Sequence, residues 1–280
     1  MKGFSVFVNS TDSYADCWEP FFLLFAKFWP SYKGTIYLNT ESRDFEYKGL
    51  DIRPTHNERA TQGRRPTWSE ATAYGLGQCE HDTIVYLQDD YFLKAEVRAG
   101  ELESIARTFE KEGLAYLSLV DFAHKLPGIA AEFDERIQYT EKADPFRISL
   151  QACIMSRRRI LPYFRKHENP WHFEIYASKR SRRGNHIFCR VNPKLLGSKA
   201  GLLIPYDPTG IRERQWVQAV VEELFGRNEI EVDFAKRGWY DHDTVWDDEE
   251  PLSIKKLVRI AKSLVWGREL MPDGRWPWQE

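Results

Sequence analysis

Apolar positions in this chain come in short runs, separated by polar clusters, and the runs alternate between strand length and helix length. Phe4 to Val8 has strand length and ends in the polar cluster Asn9-Ser10-Thr11-Asp12. Ala15 to Phe28 is dense in Phe, Leu and Trp, is closed by Trp29-Pro30, and has the length of a largely buried helix. Thr35 to Leu38 predicts a second strand, followed by a polar loop that leads to Gln62-Gly63-Arg64-Arg65-Pro66. Thr67-Trp68-Ser69-Glu70 has the spacing of a capping box, with Thr67 as N-cap of a helix to about Gly77. Thr83 to Leu87 predicts a strand, Glu101 to Lys111 a helix with its charged face outward, and Ala115 to Val120 a further strand. The order β-α-β-α-β-α-β predicts an α/β fold, a parallel or mixed sheet flanked by helices with right-handed crossovers.

Beyond Val120 the pattern is less regular. Phe146 to Met155 predicts a strand, Arg157 to Lys166 a basic helix interrupted by Pro162, and Asn169-Pro170 a helix start with proline at its first position. His186 to Val191 predicts a strand and the stretch from about Glu213 to Leu224 a helix, while Tyr206-Asp207-Pro208-Thr209-Gly210 is expected to be a turn with no further role. Ile254, Leu257, Val258, Ala261, Leu264 and Val265 share one helical face, and Lys255, Lys256, Arg259 and Lys262 take the other. Such a helix either packs on the body with a solvated basic face or lies on an anionic membrane surface. The expected organisation is one domain over 1–245, split into halves at about residue 125, with a helical extension over 246–280.

Composition narrows the class. With 280 residues, 42% hydrophobic and 29% charged, the chain has an ordinary globular make-up. A formal charge of −2 gives no reason to expect nucleic acid as a partner. Ten Trp within a 14% aromatic share supply contact surface for ring-shaped ligands as well as core. Cys17, Cys79, Cys153 and Cys189 lie far apart, three of them inside apolar segments, which favours packed thiols over a disulfide framework. Met1-Lys2-Gly3-Phe4 begins a strand without signal-peptide anatomy, and no run approaches the roughly 20 apolar residues of a membrane span. A cytoplasmic setting is the expectation.

The chemistry concentrates where a parallel sheet gathers its strand ends. Ile84-Val85-Tyr86-Leu87-Gln88-Asp89-Asp90 delivers two adjacent carboxylates to the carboxyl edge, where open α/β sheets bind ligands. The cation suited to them is a hard divalent metal, Mn²⁺ or Mg²⁺, held by one or two carboxylates plus phosphate oxygens. Asn9, Ser10 and Asp12 end the first strand, and Arg65 and Ser69 sit at a helix N-terminus that favours anions. The set offers base and ribose contacts, a cation for a diphosphate and a metal site. On the other half, Trp171 and Glu174 are spaced to share a helix face, an aromatic platform beside a carboxylate. The run Lys179-Arg180-Ser181-Arg182-Arg183 is expected to be a solvated face.

Taken together, the N-terminal half resembles nucleotide-sugar-dependent glycosyltransferases of the GT-A fold, of the kind that build bacterial surface polysaccharides. The resemblance rests on Gln88-Asp89-Asp90 and on the preceding helix, Trp68-Ser69-Glu70-Ala71, and it covers roughly the first 125 residues. In that family the strand ends in Asp-x-Asp or a close variant, and Gln88 departs from the pattern. The resemblance implies a GT-A-like, Rossmann-type mixed sheet, Asp90 as metal ligand, and Gln88 or Asp89 at the donor's ribose. It implies a general base, Glu174 or its rival Asp121, and a nucleotide-sugar donor whose sugar passes to a glycan or lipid-linked glycan. Some members complete the metal site with a C-terminal histidine, for which His242 is the candidate; His124 is placed to line the acceptor cleft. Two other readings stand beside it. A nucleotidyltransferase shares the sheet and paired carboxylates but normally has a Gly-rich loop where this chain has Asn9-Ser10-Thr11-Asp12. A non-catalytic carbohydrate-binding or scaffold protein at the inner membrane face would use the aromatics and the basic helix alone.

Overall fold

The computed structural model describes residues 3–61, 64–120, 124–196, 203–207, 209–241 and 254–264. The chain runs β1 (Ser5–Asn9), α1 (Ala15–Phe28), β2 (Thr35–Leu38), β3 (Asp51–Pro54), α2 (Trp68–Gln78), β4 (Thr83–Gln88), α3 (Ala99–Lys111) and β5 (Tyr116–Ser118). It continues with β6 (Ile129–Ala131), β7 (Asp134–Tyr139), β8 (Cys153–Ser156), the short α4 (Arg157–Ile160) and α5 (Pro170–Ser181). Last come β9 (Phe188–Val191), α6 (Pro193–Leu196), the hairpin β10 (Ile211–Arg212) and β11 (Gln215–Trp216), α7 (Gln218–Gly226) and α8 (Ile254–Leu264).

Nine strands form one mixed sheet in the order β3-β2-β1-β4-β8-β5-β9-β7-β6. β1 to β4 are mutually parallel, β8 runs antiparallel between β4 and β5, and β9 is parallel to β5. The α/β mixed sheet expected from the alternating runs is therefore present. Side chains of β1 divide between its faces with the period of two that strands impose. Val6 and Val8 join α1 and α3 in one core, with Trp18, Phe22, Phe25, Ile105 and Phe109. Phe7 points the other way and joins Leu76 of α2, Tyr86, Tyr116 and Phe173 of α5 in a second core. All four cysteines are free and buried, as their apolar settings predict.

Three departures from the sequence pattern have physical causes. The strand expected over 146–155 is only β8, because side chains take the backbone N–H groups that a ladder would use. Ser178 Oγ accepts from Ile148 N (2.9 Å), Tyr116 OH from Ser149 N (3.2 Å), Glu174 Oε1 from Leu150 N (2.6 Å) and Tyr206 OH from Ala152 N (3.2 Å). The helix expected over 157–166 stops as α4 and continues as a single 3₁₀ turn over Leu161–Tyr163, where Pro162 lacks the N–H that propagation needs. The helix expected from Glu213 begins at Gln218, because Glu213 and Arg214 adopt left-handed φ of 51° and 69° to close the β10–β11 hairpin.

Candidate active site at the carboxyl edge of the sheet

β4 lies between β1 and β8, and its last residue pairs in register with the last residue of β1, Asn9 with Gln88. The Asp89 N–H still donates to the Asn9 carbonyl at 3.2 Å, after which the chain turns out of the ladder. Both carboxylates are held inside: Asp89 is 5% and Asp90 8% exposed. Asp89 Oδ2 accepts from the Ser10 hydroxyl, which in turn accepts from the Trp18 indole N–H at 2.6 Å. Asp90 Oδ2 accepts from Thr209 Oγ1 at 2.6 Å and from the Ile211 N–H at 3.4 Å, while its carbonyl accepts from the Gly210 N–H at 2.8 Å. The turn at Thr209 and Gly210, expected to have no role, is thus the clamp on Asp90. Gly210 is obligatory there, since a Cβ would sit 2.3 Å from the Phe92 ring and 3.1 Å from the Asp90 carbonyl. Tyr91 and Tyr206 stack at 4.7 Å and fasten the same turn.

Burial dominates the electrostatics of this pair. Desolvation pushes Asp90 up to about 6, against the opposing pull of the Thr209 hydroxyl and the Ile211 N–H. Asp89 is driven well above the usual carboxylate range, first by burial and then by the negative charge of Asp90. Arg237 is the cation whose field holds both down. Its own hydrogen bonds go elsewhere: Nε to Asp16 Oδ2 at 2.7 Å and Nη2 to the Ser13 carbonyl at 3.0 Å, with the guanidinium 4.5 Å from the Tyr14 ring centre. Nothing in the Ala235-Lys236-Arg237-Gly238 stretch marks Arg237 in advance, because it is fastened by Asp16, 221 residues earlier in the sequence.

The other donor-side candidates separate into three groups. Asn9 is buried at the centre of a polar web in which its Oδ1 accepts from Asn39 Nδ2 (3.2 Å) and Thr72 Oγ1 (3.1 Å). Asp12 clasps the loop after β2, accepting from the backbone N–H groups of Glu41 (2.9 Å), Ser42 (3.1 Å) and Arg43 (3.2 Å). Arg65 is exposed and reaches the same place, 3.8 Å from Glu41. Ser69 lies apart: it is fully buried and donates to the Glu168 carbonyl at 3.1 Å. The α2 N-terminus that was expected to attract an anion already holds one. Glu70 closes the capping box with Thr67 and pairs with Arg64 at 2.7 Å and Lys166 at 3.1 Å.

Gln88 and Glu174 converge from opposite directions on one residue. Gln88 Nε2 donates to the Leu150 carbonyl at 3.3 Å, and Glu174 Oε1 accepts from the Leu150 N–H at 2.6 Å. A carboxylate of the second half thereby comes beside the acidic strand end of the first. Burial raises the Glu174 pKa, opposed by the Leu150 N–H. Trp171, one turn earlier on α5, is 70% exposed. His124 forms a buried pair with Asp144 at 3.3 Å, and its Nε2 is buried without a partner among the described residues. Asp121 and His242 lie outside the described residues.

Do these residues suit a divalent metal? Among the described residues no group of three His, Cys, Asp or Glu side chains converges as a closed protein cage. Two buried carboxylates that each commit Oδ2 to protein donors, leaving Oδ1 outside those bonds, do match the open, carboxylate-poor sites that Mg²⁺-type ions form with substrate phosphates. Both carboxylates resist ionisation without added positive charge, which is the electrostatic condition such an ion relieves. The donor set fits.

No known family model matches the sequence, and no curated protein matches it. Similar solved structures include a mycobacterial protein at 15% identity, covering 83% of this chain and 76% of that one, with TM-score 0.46. Glucosyl-3-phosphoglycerate synthase from Mycobacterium tuberculosis, in complex with Mn²⁺ and UDP-glucose, is 14% identical over 86% of this chain and 81% of that one, with TM-score 0.43. A UDP-glucose pyrophosphorylase complexed with UDP-glucose is 8% identical over 68% of this chain and 90% of that one, with TM-score 0.42.

Proposed function

We propose that the chain is a nucleotide-sugar-dependent glycosyltransferase that moves a sugar from a nucleoside diphosphate donor to a hydroxyl of a glycan or lipid-linked glycan. The observation that carries this reading is the buried Asp89–Asp90 pair, clamped from two sides at the carboxyl edge of β4. In it, residues 1–125 bind the donor and 126–245 the acceptor.

Transfer requires an anionic diphosphate to leave an anomeric carbon that becomes oxocarbenium-like. Asp90, with Asp89 beside it, would hold a Mn²⁺ or Mg²⁺ ion, which when bound supplies positive charge to the leaving diphosphate. The protein's own part is to keep that carboxylate pair fixed and dry. Thr209 and Ile211 orient Asp90, and Ser10, itself set by Trp18, orients Asp89. Gln88 and the Asn9 web present amide groups suited to the donor's ribose and base. Arg65 and Asp12 edge the same rim through Glu41. Glu174 takes the proton of the attacking hydroxyl, with Asp121 as its rival, and attack from that side opposite the leaving group inverts the anomeric centre. Burial already lifts Glu174 toward the basicity that such a role needs. Trp171 offers the acceptor a stacking surface. Synthesis of a surface polysaccharide on the cytoplasmic side of a membrane is the setting this acceptor class suggests.

The experiment is a panel of UDP- and GDP-sugars, with and without Mn²⁺, read as released nucleoside diphosphate and as thermal stabilisation. Metal-dependent release of nucleoside diphosphate supports the reading. Release of pyrophosphate from a sugar phosphate and a nucleoside triphosphate would assign nucleotidyl transfer instead. Indifference to every nucleotide would leave a binding or scaffold protein.

A further inference from the structure

An amphipathic helix of a water-soluble body normally lays its apolar stripe on the core. α8 leaves three residues of that stripe exposed. Its Ser263 is 1% exposed, whereas Leu257 is 52% and Val258 47% exposed, and Ala261 is exposed as well. What fastens the helix to the body is polar and sits at its last turn. Arg180 Nη1 donates to the Ser263 carbonyl at 2.9 Å, Arg183 Nη1 to the Leu264 carbonyl at 3.1 Å, and His167 Nε2 lies 3.0 Å from Ser263 Oγ. Arg180 is itself locked by Glu168 at 2.6 and 2.7 Å, inside the protein. The attachment therefore holds α8 through Ser263 and Leu264 and leaves Leu257, Val258 and Ala261 exposed.

Those same contacts join two basic runs that are 83 residues apart in sequence at their linking bond. Residues 254–264 contain Lys255, Lys256, Arg259 and Lys262 and no acid, and they end against the run from Lys179 to Arg183. On a chain whose formal charge is −2, this is a local concentration of cations. α5, on which α8 rests, also turns apolar side chains outward: Trp171 and Ile175, one turn apart, are 70% and 42% exposed.

We propose that α8 and the neighbouring end of α5 form a docking surface for an anionic lipid bilayer. Leu257, Val258 and Ala261 enter the headgroup boundary, and the exposed Lys262 of α8 with Lys179, Arg182 and Arg183 at the end of α5 meet lipid phosphates. Charge decides the occupant. A second copy would bring two cationic helices face to face, whereas an anionic bilayer complements both the stripe and its flanks. The assignment rests on the transferase reading only for its purpose, since docking by α5 would bring Trp171 and Glu174 to a membrane-borne acceptor.

The test is co-sedimentation of the full chain with vesicles of phosphatidylcholine alone, or of phosphatidylcholine and phosphatidylglycerol in equal amounts. The wild type is expected to bind the anionic vesicles, weakly or not at all the neutral ones, and less as salt rises. Leu257→Glu with Val258→Glu should weaken that binding roughly tenfold or more, and Lys179→Gln with Lys262→Gln several-fold. All four residues are exposed, and an unchanged melting temperature verifies the folding of both variants. Equal binding to both vesicle types, or double variants that bind like wild type, would overturn the proposal. So would a wild-type dimer that the glutamates dissociate, which would assign the face to a second copy. Nucleotide-dependent thermal stabilisation measured without vesicles reports on the transferase reading separately, so either idea can fail alone.

Discussion

The two halves of the sheet reach the same edge by different means. From β3 to β4 the strands are parallel, and their carboxyl ends are laced by side chains of neighbouring strands: Asn9, Asn39, Thr55 and Asn57 bond to one another over distances of 2.9 to 3.2 Å. Beyond β4 the order is broken by the antiparallel β8, and polar groups are placed by side chains that capture the backbone of distant segments, as Glu174 captures Leu150. The first arrangement is a fixed rim and the second a set of long-range fasteners. A rim built from strand ends suits a ligand whose phosphates and ribose are constant. A half assembled from fasteners can change its acceptor by changing loops, without disturbing the sheet.

If this division is correct, substitutions on the two sides should fail differently. The largest effect is expected for Asp90→Asn, which keeps the shape of the clamp and removes the charge. Turnover should fall about a thousandfold, the upper end for removing one preorganised electrostatic group, with an unchanged circular dichroism spectrum. Near-normal turnover would remove Asp90 from the chemistry. Glu174→Gln comes next, with a loss of about a hundredfold in kcat. Its amide oxygen still accepts from the Leu150 N–H, so folding and donor-induced thermal stabilisation should persist. A loss of donor stabilisation equal to the loss of rate would mean that Glu174 belongs to the donor rim, and the division would be wrong. Thr209→Val is nearly isosteric and deletes the hydroxyl donated to Asp90. A loss of about tenfold in kcat/KM, the worth of one hydrogen bond to a charged group, is expected, with a higher metal requirement. Unaltered kinetics would show that the Ile211 N–H suffices.

Much of the donor rim was legible before any coordinates, because it is local. Short apolar runs of strand length placed β1 and β4, and the acidic dipeptide follows directly from where β4 ends. The capping box fixed the start of α2 at Trp68 with both of its hydrogen bonds present. What the helix start does was not legible: Glu70 fills the site that Arg64, Arg65 and Ser69 seemed to prepare for a ligand. β3 and β7 escaped notice as well, since Asp51-Ile52-Arg53-Pro54 and Asp134-Glu135-Arg136 are largely polar, and β6 because Ile129–Ala131 is only three residues long. The clamp at Thr209 and the field of Arg237 depend on contacts spanning 119 and 221 residues, which no local pattern encodes. The orientation of α8 was hidden for a related reason. Its periodicity defines two faces, but contacts with His167, Arg180 and Arg183, far off in sequence, decide which one turns to the body.

The smallest expected effect concerns the stiffness of the rim itself. Glu70 is nearly buried in its capping box; burial opposes its charge, but Arg64, the Thr67 N–H and Lys166 together outweigh it and hold the carboxyl below its usual range. A carboxylate depressed on folding contributes stability above its unfolded pKa and loses it as pH falls through the lower, folded value. The wild type should therefore lose melting temperature on acidification below the ordinary glutamate range, with Glu70 as one contributor. Glu70→Gln retains an acceptor for the Thr67 N–H but not the ion pairs. It should cost about 1 kcal/mol at neutral pH, the upper end for ion pairs with half-exposed partners, and about 2–4 °C in melting temperature. The difference between variant and wild type should shrink as pH falls, because protonation removes from the wild type what the substitution already removed. A gap that stays constant down to acid pH would mean that Glu70 acts through hydrogen bonding alone. The rim would then owe its rigidity to the Asn9 web, and Arg64 and Lys166 would be available to a ligand after all.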